Sequence, residues 1–124
     1  MLKIQGMVQF MNNNWNDELF NEWLSLREKF RKAKKDKNYN EVIKICENII
    51  ILDKNAKFIK IMVPLFQKEI GNAHLKLGNN KDAKGYYNLA IEGFKLYRKE
   101  KSLKNSNDWL KDIDLLENKL KKLN

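Results

Sequence analysis

The chain has 124 residues, 43% of them hydrophobic and 33% charged, which places it well away from disorder and among folded globular domains. Its 25 basic and 16 acidic residues leave a net charge of +9, so acidic partners are expected: a carboxylate-rich protein segment, nucleic acid or an anionic surface. The lone Cys46 excludes an internal disulfide, and one His beside it excludes a tetrahedral metal site built from N and S ligands.

Residues 1–14 carry Ile4, Met7, Val8, Phe10 and Met11 and then three consecutive Asn, which reads as an N-terminal arm, partly ordered or frayed. Met11 offers a second translation start. The first eleven residues hold one Lys and no small-residue cleavage site, so no secretion signal is expected and the expected location is the cytoplasm. No apolar run along the chain approaches the roughly 18 residues of a membrane span.

Trp15, Leu19, Trp23, Leu26, Phe30 and Ala33 then follow helical spacing on one stripe. Asn14 or Asn16 suits the cap of this helix, Asp17 and Glu18 suit its first turn, and Lys32, Lys34, Lys35 and Lys37 suit its far end. After the turn at residues 36–40, Val42, Ile45, Cys46, Ile49, Ile50 and Leu52 form a second stripe. Phe58, Ile59, Met62 and Leu65 are also helically spaced. Pro64 either starts a helix or kinks a longer one, and a long helix from near Asn55, kinked at Pro64, is the expectation.

Ile70, Ala73 and Leu77 lie on the next stripe, and Ala83, Tyr87 and Ala90 on the one after it. Gly78 between them suits a helix end, and the following Asn residues suit the next cap. That next helix should run from about Asn80 to Lys99. Gly71, Ala83 and Ala90 are small enough for close backbone approach, with Tyr86 or Tyr87 filling the space beside them. Residues 101–107 read as a polar loop. Ser106 or Asn107 suits the cap of a last helix whose apolar side holds Trp109, Ile113, Leu116, Leu120 and Leu123. Its end carries Lys119, Lys121 and Lys122, as a helix dipole favours.

The string Gln67-x2-Ile70-Gly71-x2-His74, followed by Ala83-x3-Tyr87-x2-Ala90, resembles the tetratricopeptide-repeat pattern. Val42, Cys46 and Ile49 precede Ala83, Tyr87 and Ala90 by 41 residues, and Leu26, Lys29, Phe30 and Ala33 precede Gln67, Ile70, Gly71 and His74 by the same interval. The resemblance implies an all-α protein of antiparallel hairpins in a right-handed superhelix, with about five helices. Its parts would be a hairpin at 15–54, a second at 55–100 and a capping helix at 106–123, all in one domain after the arm.

In that family the first helix of each hairpin lines a concave, ligand-binding face. The inward rows would be Arg27, Arg31, Lys34 and Lys35, and then Lys68, Asn72, Leu75 and Lys76, a basic groove for an acidic protein segment. Lys68 and Asn72 match two positions with which chaperone-adaptor members hold a terminal carboxylate. His74 and Cys46 read as core residues. With no Gly-rich phosphate loop, nucleophile–base pair or carboxylate cluster, no catalysis, metal or cofactor is expected. Expected roles are an adaptor, a regulator or an immunity-type protein. The alternatives are sequence-blind binding of nucleic acid to the basic face, and a structural homodimer subunit without a groove ligand.

Overall fold

The computed structural model describes residues 15–100, 105 and 107–123. The described residues form five helices and no strand: α1 (Asp17–Lys35), α2 (Tyr39–Asn55), α3 (Val63–Lys76), α4 (Asn80–Glu100) and α5 (Leu110–Leu123). The fold is all-α. Each helix packs against the next in sequence, and the short turns after α1 and α3 fold each pair back on itself.

The caps follow from local chemistry. Asn16 is extended (φ −140°) and its side chain accepts from the Leu19 amide at 3.1 Å, fixing the start of α1. Asn14, the other expected cap, lies outside the described residues. Asn38 caps α2 in the same way, accepting from the Glu41 amide at 3.3 Å. Gly78 ends α3 in the left-handed region at φ 82°, where a side chain would strain the backbone.

The long kinked helix expected around Pro64 does not form. α2 stops at Asn55, residues 56–62 make tight turns, and α3 starts afresh at Val63 with Pro64 in its first turn. There the missing N–H is harmless, whereas inside a longer helix the ring would clash with the Lys60 carbonyl. The turns also bury Ala56 and Ile59 and bring Phe58 to 4.7 Å from Trp15.

The last helix also starts later than the sequence suggests. Trp109 precedes α5 with φ 70°, and its ring stacks on Phe94 at 5.2 Å with Tyr97 edge-on at 6.4 Å. The Arg98 guanidinium donates to the Asp108 carbonyl and holds this turn against α4. Ring burial and that bond outweigh the backbone cost of the left-handed residue, about 1–2 kcal/mol. Asn107 therefore lies in a turn, and Ser106 lies outside the described residues.

The interior has two parts. Leu26, Ala33, Ile45, Cys46, Ile49 and Ile70 centre one, which joins α1, α2 and α3. Ala83, Tyr87, Ala90, Phe94, Ile113 and Leu116 form the other, beneath α5. No buried side-chain polar atom among the described residues lacks a hydrogen-bond partner. No described helix is long and apolar enough to cross a membrane.

Candidate functional site

α3 lies between α1 and α5 through its side chains. Phe66 meets Trp23 and Phe30 of α1 edge-on at 6.0 and 5.7 Å, while Lys68 and Asn72 face Asp112 and Lys119 of α5. The C-terminal end of α1, the turn after it, the start of α2, the C-terminal half of α3 and Lys119 of α5 surround a cleft of about 540 Å³. That volume is in the range of small-ligand sites.

Four lysines line the cleft: Lys34, Lys37, Lys76 and Lys119. Among the described residues Glu69 is the one carboxylate on its wall, and it already pairs with Lys34 at 2.9 Å. Lys37, Lys76 and Lys119 form no ion pair among the described residues. Lys37 sits in the turn with φ 57°, a left-handed backbone uncommon for a lysine. Val42, Ala73, Leu75 and the Tyr39 ring supply apolar wall.

Asn72 organises the floor. Its Oδ1 accepts from the Tyr87 hydroxyl at 2.6 Å and from the Lys119 ammonium at 2.9 Å. Lys119 Nζ also stands 5.5 Å from the centre of the Tyr87 ring, a cation–π contact. Burial first, then the charge of Lys68 and also that of Lys76, hold the Lys119 ammonium below the ordinary lysine range; Glu69 opposes the shift. Burial, with the Glu69 charge, pushes the Tyr87 phenol up to about 12, so it stays a protonated donor to Asn72.

Of the groove residues expected from sequence, the structure brings Lys34, Asn72, Leu75 and Lys76 together on this cleft. Arg27 and Arg31 lie elsewhere, beside Leu24 in a shallow depression nearer the start of α1, with Arg31 paired to Glu28 at 2.8 Å. Lys35 is exposed and outside the cleft lining. Lys68 points across to Asp112 at 4.0 Å with 26% of its side chain exposed. Lys68 and Asn72 thus both engage α5. Sequence reasoning missed Lys37, Tyr39, Glu69 and Lys119 as cleft residues.

The two core readings are matched by position. Cys46 is fully buried, and burial first, then the Glu69 charge, push its thiol up to about 12. His74 is half-buried and stacks on Tyr86 at 5.6 Å. Among the described residues no group of three or more His, Cys, Asp or Glu side chains is placed to hold a metal. No known family model, no curated protein and no solved structure matches this chain.

Proposed function

We propose that the chain is a protein-interaction module of tetratricopeptide-repeat-like build that holds an acidic segment of a partner protein in the cleft beside Asn72. One observation carries this reading: lysines from α1, its following turn, α3 and α5 converge on one opening whose only carboxylate among the described residues is already paired. Each exposed ammonium there gains a charge-assisted bond from an incoming carboxylate, which favours acidic ligands and speeds their encounter. The apolar wall of Leu75, Ala73 and Tyr39 adds buried area for a side chain of the same segment.

The repeat-like build rests on the 41-residue recurrence and on the side-chain contacts that α3 makes with both α1 and α5. The test is capture of partners from host lysate by wild type and by Lys37→Glu/Lys76→Glu, both exposed positions. A protein retained by wild type alone is the expected result. Equal capture by both forms, or nuclease-sensitive capture only, would overturn the reading.

A further inference from the structure

We infer that the group recognised at the floor of this cleft is a phosphoryl group carried on the partner segment, held by Lys37, Lys76 and Lys119. The inference rests on the acidic-segment reading above and names the anion that reading leaves open. Three ammonium groups on three separate elements line the opening, none with an ion-pair partner among the described residues, since Glu69 pairs with Lys34. A side-chain carboxylate brings one negative charge and two oxygens. A phosphorylated side chain brings about 1.5–2 charges at neutral pH and three acceptor oxygens, one for each ammonium.

Lys119 makes the strongest case. It is half-buried, its proton donors reach Asn72 and the Tyr87 face, and the charges that act on it are those of Lys68, Glu69 and Lys76, two cations against one carboxylate. A cation held in such surroundings gains more from a dianion than an exposed lysine does, because solvent screens it less. Lysines also suit the ligand, acting as point charges towards phosphate without demanding a fixed planar fork. A nucleic-acid strand fits less well. Trp23, Phe30, Phe66 and Trp109 are occupied by packing against other rings, so they offer no platform for stacked bases.

The experiment is calorimetric titration of the full chain with a short acidic peptide carrying phosphoserine, and with the same peptide carrying Glu instead. Lys119→Met, Lys76→Met and Lys54→Met are compared; Lys54 is exposed at the far end of α2. The phosphopeptide should bind tighter than its Glu twin by about tenfold or more. Lys76→Met, at an exposed site that does not endanger folding, and Lys119→Met should each erase most of that difference, while Lys54→Met keeps it.

Pyrophosphate displacing the peptide at the same lysines would support the phosphoryl site, and its rank against the peptide would tell a free compound from a peptide-borne group. Equal binding of both peptides, lost in the lysine variants, would overturn the phosphoryl inference and leave the acidic-segment reading standing. Binding of neither peptide would overturn both. A single-stranded oligonucleotide outcompeting the phosphopeptide, with steep weakening by salt, would overturn them in favour of nucleic acid.

Discussion

The ring of Tyr87 occupies the space that a side chain on Gly71 would need: a Cβ at Gly71 would come 2.6 Å from Cε1 and 2.7 Å from Cδ1. The Tyr87 ring is fully buried, and its hydroxyl continues past Gly71 to Asn72. One aromatic side chain thus closes α3 onto α4 and fixes the floor of the cleft.

Gly71→Ala is expected to destabilise the fold by about 1–3 kcal/mol, because the added Cβ would press on a fully buried ring and on the backbone carbonyl of Ala83 at 3.3 Å. The gain in helix propensity, about 0.5–1 kcal/mol, offsets only part of this. Tyr87→Phe keeps the ring and loses the bond to Asn72, so a smaller loss of about 1 kcal/mol is expected. Urea denaturation measures both. A Gly71→Ala chain as stable as wild type would mean that α3 and α4 are not this close.

A second close approach lies at the other end of the same helix pair, where a Cβ at Gly93 would come 2.6 Å from Cγ of Pro64. Gly93→Ala should therefore destabilise alone, and Pro64→Ala should relieve it. The double variant is expected to be more stable than the sum of the single effects allows, with a coupling of about 0.5–3 kcal/mol. Strict additivity in thermal or urea melts would place the Pro64 ring away from α4.

Helix faces were legible in the sequence and positions along the helix axis were not. The stripes from Trp23 to Ala33 and from Val42 to Leu52 specify which side each helix buries, and Gly78 specifies where α3 stops. Arg27, Arg31 and Lys34 were put in one row by the same periodicity, yet the cleft opens only at the Lys34 end. Lys119 was invisible as a cleft residue because it lies 47 residues from Asn72, and its charge reads equally well as complement to a helix dipole. Pro64 carried two meanings, start or kink, which only the burial of Ala56 and Ile59 decides. Trp109 sat at helical spacing, and stacking on Phe94 took it out of the helix.

The Lys34–Glu69 pair bridges α1 and α3 at 2.9 Å, but the Lys34 side chain is 58% exposed. Water screens most of its attraction, so a double-mutant cycle on the two residues should return a coupling of under about 1 kcal/mol. Its consequence for binding is larger. Glu69→Gln frees Lys34 and removes a carboxylate from the cleft lining, so acidic peptides should bind several-fold tighter to this variant than to wild type. Unchanged or weaker binding in a fluorescence titration would show that acidic ligands do not enter here.

Alkaline pH should loosen the fold through Cys46. Its thiol rises from the ordinary 9.0 to about 12 because burial disfavours the thiolate. Above pH 9 the unfolded chain sheds this proton while the folded chain keeps it, so stability is full below 9 and falls as pH climbs towards 12. Tyr87 adds a loss of the same sign from pH 10 upwards. Lys119 acts oppositely, because its lowered ammonium makes the folded state the earlier one to release a proton. Cys46→Ala, a small residue at a fully buried site, should lower stability at neutral pH and flatten the decline between pH 9 and 10, where the phenol is still mostly protonated in both states. The check is urea denaturation of both chains across that interval, together with the rate of thiol modification in the native protein. Labelling of Cys46 should track global unfolding; labelling much faster than unfolding, with equal slopes for the two chains, would mean that the thiol is open to water and titrates freely.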